Sequence, residues 1–366
     1  MAGLYIHIPF CQKKCAYCNF YSACTEASVV DNYLRALEKE IEKWGGSCGR
    51  PIETLYIGGG TPSVLGAKIA PLISKIKKCF NLTDDPEITV EMNPSENSAE
   101  FLTAARSVGV NRLSIGVQSG NDSELLLLGR THTAYDTRRS VEKARNLGFS
   151  NISLDLMLAL PESDNASLLK SLEFITELSP EHISAYILKL EDKTALKANK
   201  KLRFADEETQ AKQYLLASSY LEKLGYEHYE ISNFAKSGYQ SQHNLKYWNL
   251  EEYLGIGPSA HSYFLGKRFY YKPDIKGFIK NPEIVFDGTG GDSSEYFMLK
   301  LRLSDGVDLK EFTDIYGDLL TPEFFSFCDL LEKEGLVKTD NERISLTDRG
   351  MLLSNTIITE LLERMK

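Results

Sequence analysis

Leu4-Tyr5-Ile6-His7-Ile8-Pro9-Phe10-Cys11-Gln12-Lys13-Lys14-Cys15-Ala16-Tyr17-Cys18 joins a short β-prone run to three thiols in a C-x3-C-x2-C spacing. The alternation of branched and aromatic residues predicts a strand, and Pro9 ends it. The cysteines then fall on one tight loop. Three thiolates suit an iron–sulfur cluster in which one iron stays open to a ligand that is not protein, whereas four would close the site. A three-cysteine zinc site completed from elsewhere, with His7 as a fourth ligand, is the rival reading. Cys24, Cys48, Cys79 and Cys328 stand apart and read as ordinary reduced thiols, with Cys24 nearest the loop.

Outward from this loop, strands alternate with helices. Apolar β-rich runs occur at Leu4–Ile8, Thr54–Ile57, Ile88–Glu91, Arg112–Val117, Asn151–Leu156 and His182–Tyr186. Between them Val30, Tyr33, Leu34, Leu37, Ile41 and Trp44 recur at helical spacing, and Leu65–Phe80 and Thr133–Leu147 read likewise. Six strands with helical crossovers predict an α/β fold with parallel pairing. Periodicity alone leaves an open doubly wound sheet and a barrel both standing.

The strand ends favour the barrel. Successive strands finish in the cysteine loop, in Gly58-Gly59-Gly60-Thr61-Pro62, in Glu91-Met92-Asn93-Pro94, in Gln118-Ser119 and in Asp155. Polar groups at the carboxyl ends of successive parallel strands converge in a barrel, whereas an open sheet spreads them along an edge. The three glycines let backbone approach a ligand closely.

The cysteine spacing, with the aromatic Tyr17 before the last thiol, resembles the radical S-adenosylmethionine (SAM) enzymes. The resemblance implies a partial (β/α)6 radical SAM barrel. It also implies a [4Fe-4S] cluster on Cys11, Cys15 and Cys18, whose open iron takes the amine and carboxylate of SAM and whose electron cleaves the sulfonium. Residue by residue it implies SAM contacts from Tyr5, from Gly59, Gly60 and Thr61 toward the amino group, and from Glu91 and Asp155 toward ribose hydroxyls. Gln118 carries over in the same way, and Arg130 lies in Leu128-Gly129-Arg130-Thr131-His132 as the cation near the SAM carboxylate.

Leu4–Cys11, Gly58–Pro62, Arg112-Leu113-Ser114-Ile115-Gly116-Val117-Gln118-Ser119 and Leu128–His132 together resemble the oxygen-independent coproporphyrinogen III oxidases and their haem chaperone branch. Oxidases of this family carry a fourth cysteine two residues after the third, and an N-terminal extension. Here Phe20 takes that position and only ten residues precede Cys11, so the chaperone branch is expected, and coproporphyrinogen oxidation is the alternative. His243-Asn244-Leu245-Lys246-Tyr247-Trp248 fits the H-N-x-x-Y-W pattern that the family associates with haem: an imidazole for the iron and flat surface from Tyr247 and Trp248. From residue types alone, an aromatic packing cluster around a satisfied histidine is the favoured reading, and the family resemblance turns it toward haem. Gly255–His261 reads as a rigid turn, with His261 a weaker candidate for the porphyrin. After Asp155 the family's Gly-Leu-Pro-Gly-Gln turn is replaced by Ala159-Leu160-Pro161-Glu162-Ser163.

The implied partners are haem, haem-accepting apoproteins and a reductant protein for the cluster, with a peripheral membrane contact. A formal charge of −9 argues against general nucleic-acid binding. No apolar run reaches bilayer length, the N-terminus lacks a secretory pattern, and a reducing compartment, the cytoplasm, is expected. Three units are expected: the barrel over 1–225, a connecting segment over 226–290 carrying the H-N-x-x-Y-W motif, and a small helical, winged-helix-like domain over 291–366. In that domain Glu334–Val337 and Ile344–Thr347 would form the wing, with packing or substrate cover as its role and DNA binding as the lesser reading. Two further readings, a radical SAM enzyme on another substrate and a non-catalytic zinc module, complete the set.

Overall fold

The computed structural model describes residues 1–94, 98–340 and 342–366. All six expected strands are present: β1 (Ala2–Ile8), β2 (Ile52–Gly59), β3 (Leu82–Met92), β4 (Arg112–Gln118), β5 (Asn151–Leu158) and β6 (His182–Ile187). They pair in parallel, in that order.

Their alternation decides the architecture. Leu4, Ile6, Ile8, Leu55, Ile57, Val90, Leu113, Ile115, Leu154 and Leu156 are fully buried on the face that meets the crossover helices. The intervening residues are polar or glycine, and register aligns them in rows. Tyr5 pairs Tyr56, which pairs Thr89, which pairs Arg112; Glu91 pairs Ser114, which pairs Ser153; Asp155 pairs Ser184. Strands buried on both faces are usually apolar throughout. Here the concave face is polar because it lines a site.

Helix Ala27–Gly45 buries Tyr33, Ala36, Leu37 and Ile41 against the sheet, as the heptad-like spacing predicts. The expected helix over 65–80 is instead a 3₁₀ turn, Pro62–Lys68, broken at Gly66 (φ 55°), followed by helix Ile69–Cys79. Helix Ala134–Asn146 starts at a capping box between Thr133 and Asp136.

Residues 226–290 join the same sheet. β7 (Glu227–Glu230) and β8 (Asn233–Ala235) extend it antiparallel beyond β6. β9 (Tyr253–Ile256) lies parallel to β1 on the other flank, followed by antiparallel β10 (His261–Phe264), β11 (Lys267–Tyr271) and β12 (Ile284–Thr289). The twelve strands form one mixed, unclosed sheet with β7 and β12 at its edges. The Pro- and Gly-rich stretch after Tyr271 holds a short helix, Ile275–Lys280, and the exposed partner strand of a hairpin.

The C-terminal part packs a small sheet, β13 (Val307–Asp308), β14 (Val337–Thr339) and β15 (Arg343–Leu346), against helices Leu309–Tyr316 and Pro322–Lys333. It is clasped to the barrel by Asp348, which accepts from Ser218 and from His228 Nδ1 at 3.0 Å. No described helix is long and apolar enough to cross a membrane.

Candidate functional site: a three-thiol loop over a polar barrel interior

Backbone hydrogen bonds fix the cysteine loop on every side. Cys11 N–H donates to Ala23, Ala23 to Pro9, Gly60 to Ile8 and Thr61 to Phe10. Ala16 is held between Leu128 and Leu196, over a small apolar cluster that includes Leu160 and Tyr17. Gly59 sits at φ 116°, and a Cβ there would lie 2.5 Å from the His7 ring. The Gly-Gly-Gly run therefore allows the loop after β2 to press against the loop after β1.

Cys11, Cys15 and Cys18 are free and half-buried, and Cys24 is exposed. Thr61 Oγ1 donates to Cys11 Sγ and Arg130 Nη1 to Cys15 Sγ, each at 3.5 Å. A relay completes the circuit: Arg130 Nη2 donates to Asn93 Oδ1 (2.7 Å), and Asn93 Nδ2 donates to Thr61 Oγ1 (3.0 Å). Gly116 leaves room for it, since a Cβ would meet Gln118 Nε2 at 2.9 Å and Arg130 Nη2 at 3.2 Å. Donors aimed at ligand sulfurs orient them and tune a bound metal.

The donor set fits a cluster better than a single ion. Ligands of one tetrahedral zinc lie ~4 Å apart, from Zn–S bonds of about 2.3 Å. Among the described residues the one ligand group gathered within 4.8 Å is Glu222, His228 and Asp348, far from the loop in sequence; the three thiols form none, with or without His7. His7 has both ring nitrogens engaged, Nδ1 with Tyr5 OH (2.9 Å) and Nε2 with the Tyr21 carbonyl (3.0 Å). Burial lowers its pKa to about 4.

Beneath the loop lies a cavity of about 440 Å³ lined by the three cysteines and by Gly59, Gly60, Thr61, Glu91, Gln118, Arg130 and Asp155. The sequence-derived SAM residues thus converge, with one exception. Tyr5 faces an adjoining cavity of about 350 Å³, which shares Gly59, Glu91 and Phe20 with the first. Burial drives the Glu91 carboxyl up to about 7, even though it accepts from Tyr56 OH (2.9 Å) and Gly59 N–H (3.0 Å). Burial likewise lifts Asp155 to about 6 against hydrogen bonds from Ser184 and Ser114. Gln118 holds a left-handed backbone (φ 72°) at the end of β4 and accepts from Tyr186 OH at 2.9 Å. Tyr56, Ser114, Ser184, Tyr186 and Asn93 are also in the lining. The first four alternate with apolar neighbours inside predicted strands, a signal available to sequence reading.

The H-N-x-x-Y-W motif forms helix Gln242–Trp248, packed under the barrel interior. Glu87 accepts from the backbone N–H of Gln242 and His243 at 3.1 Å each, and buried Lys246 pairs with Glu53 and Glu251. His243 is buried, with Nδ1 on Thr54 Oγ1 and Nε2 on Tyr247 OH, both at 2.8 Å. Its pKa falls to about 3 through desolvation, with Arg112 adding to the effect. Tyr247, one turn on, lines the 350 Å³ cavity. Trp248 points elsewhere: Arg302 stacks over it at 5.8 Å, and it lies beside the buried Glu230. The three residues do not share one face.

Residues 5–175 match the Radical SAM superfamily, and residues 293–353 match the HemN C-terminal domain. The class is therefore a radical SAM barrel, which carries a [4Fe-4S] cluster and SAM. The chain is 38% identical to the heme chaperone HemW of Bacillus subtilis, over 98% of each chain. It is 34% identical to that of Lactococcus lactis, over 98% of this chain and 96% of the other. The solved coproporphyrinogen III oxidase HemN of Escherichia coli superposes with a TM-score of 0.84 at 25% identity, covering 98% of this chain and 89% of that one. The chain belongs to the HemW family of heme chaperones within the radical SAM superfamily.

Proposed function

We propose that this chain binds haem and passes it to acceptor apoproteins, with a SAM-liganded cluster as resident cofactor. Cys11, Cys15 and Cys18 would hold the cluster; Arg130 and the Gly59–Thr61 segment would hold the SAM amino-acid end; Glu91, Gln118 and Asp155 would receive its nucleoside end. When bound, the pair supplies one-electron chemistry. The residues themselves orient the ligand and keep Arg130 against the Cys15 thiol, with Asn93 and Thr61 linking it to Cys11. A reductant protein reaching the cluster, a peripheral membrane contact and a reducing, cytoplasmic location belong to the same reading.

Phe20 carries the choice between chaperone and oxidase. It stands where oxidases of this family resemblance have a fourth cysteine, is 69% exposed, and lines both cavities at their junction. A phenyl ring there offers a stacking surface to a macrocycle and no thiol to a radical reaction. The likeness to the E. coli oxidase favours coproporphyrinogen oxidation as a second reading. Anaerobic incubation of the reconstituted chain with coproporphyrinogen, SAM and reductant separates them. The expected result is no protoporphyrinogen by chromatography, and robust decarboxylation would overturn the chaperone reading.

A further inference from the structure

One of the six imidazoles differs from the rest. His7, His182, His228 and His243 each have both ring nitrogens engaged by protein groups. His132 is buried with Nε2 on the Val117 carbonyl. His261 alone of the six is exposed, and neither of its ring nitrogens has a protein hydrogen-bond partner among the described residues. It opens β10, stacked on Tyr270 with ring centroids 4.9 Å apart. The turn before it is rigid: Ser259 N–H donates to the Tyr271 carbonyl and Ala260 N–H to the Gly257 carbonyl.

His261 lines the 350 Å³ cavity together with Phe20, Tyr21, Tyr247 and Tyr253. Aromatic walls with a free imidazole at the rim are the elements a haem site requires: apolar faces for the macrocycle and a neutral nitrogen for the iron. Lys14, in the lining of the first cavity, donates from Nζ to the carbonyl of Phe20 in the shared wall at 3.3 Å, within one residue of the second cavity as a cation for a propionate. We infer that haem seats in this second cavity with His261 as its axial ligand, and that His243 is the internal support that positions Tyr247 in the cavity wall. The inference rests on the haem-binding reading above. It gives the adjoining cavities separate tasks, SAM and cluster in one and haem in the other, with Glu91 and Phe20 in the shared wall.

The test is anaerobic haemin titration of the cluster-loaded chain, followed at the Soret band. Four proteins are compared: the unmodified chain, His261→Ala, Phe20→Ala and His243→Gln, the last keeping hydrogen-bonding capacity at the buried position. His261→Ala should weaken binding at least tenfold and shift the Soret band, and added imidazole should restore the band. Phe20→Ala should weaken binding several-fold with the band unmoved, and His243→Gln should leave the band in place. An unmodified chain that binds no haemin would refute the haem-binding reading itself. An unmodified chain that binds normally, with His261→Ala spectrally unchanged or with His243→Gln losing the axial ligand, would refute this site and leave that reading intact.

Discussion

Two carboxyls inside the barrel, Glu91 and Asp155, hold their protons toward the neutral range. Burial raises them to about 7 and about 6, so the folded chain holds their protons to higher pH than the unfolded chain does. Groups with raised folded values stabilise fully below their unfolded pKa, and that contribution is lost as pH rises through the folded value. Without SAM, their contribution to stability should therefore fall between about pH 4 and 7, while the lowered imidazoles of His7 and His243 add stability as pH rises over much of that range; calorimetry should show Glu91→Gln with Asp155→Asn gaining on the unmodified chain as pH rises, and a difference that is flat with pH would contradict the assignment. SAM should reverse the preference, because ribose hydroxyls need the ionised acceptor. Affinity should climb as pH passes about 6, and Asp155→Ala should weaken SAM by roughly tenfold to a hundredfold, the cost of an unpaired buried donor. Equal SAM affinity for Asp155→Ala and the unmodified chain would remove that residue from the site.

At the scale of elements, the turn after β5 shows how much local sequence can mislead. The family resemblance places glycines where this chain has Ala159 and Glu162, which puts the turn's shape in question. The turn keeps the glycine-type backbone: φ is 57° at Ala159 and 60° at Glu162. It is held by Gln213 Oε1 accepting from Ala159 N–H (2.9 Å) and by reciprocal bonds between Glu162 and Arg203. Left-handed backbone costs a non-glycine residue about 1–2 kcal/mol, so Ala159→Gly should raise unfolding free energy by about 1 kcal/mol in denaturant titration. A loss of stability would mean the methyl group packs more usefully than the strain costs. The six barrel strands and the converging strand ends were legible because alternation and strand-terminal polar groups are local patterns. The flanking strands β7–β12 were not: they are short, and although β7–β8 and β10–β11 are local hairpins, they are docked on the sheet by pairing between distant segments, β8 on β6 and β9 on β1. The histidine of the H-N-x-x-Y-W motif was legible both as a motif and, from residue types, as a satisfied packing histidine, but the strand residue that satisfies it was not. Its partners Thr54 and Tyr247 lie on different elements.

For the whole molecule, helix Gln242–Trp248 is the joint between parts. One face carries His243 and Tyr247 into the barrel. The other carries Trp248 to Arg302 and Glu230, beside the bridge of Glu230 to Leu303 at the start of the C-terminal unit. Trp248→Ala should therefore cost about 2–4 kcal/mol and open the C-terminal unit to limited proteolysis, while the cluster signal stays as it was. Trp248→Ala that lowered haem affinity with no change in proteolysis would place the indole in a haem site instead. The clasp of Asp348 on Ser218 and His228 acts beside this joint and holds the same two parts. Every functional assignment rests on what the three thiols hold above the polar interior. Iron and acid-labile sulfide determination with electron paramagnetic resonance, after anaerobic reconstitution, addresses that directly. The account predicts about four irons and four sulfides per chain, with a signal perturbed by SAM and abolished by Cys11→Ala, Cys15→Ala or Cys18→Ala but not by Cys24→Ala. Stoichiometric zinc without sulfide would contradict it.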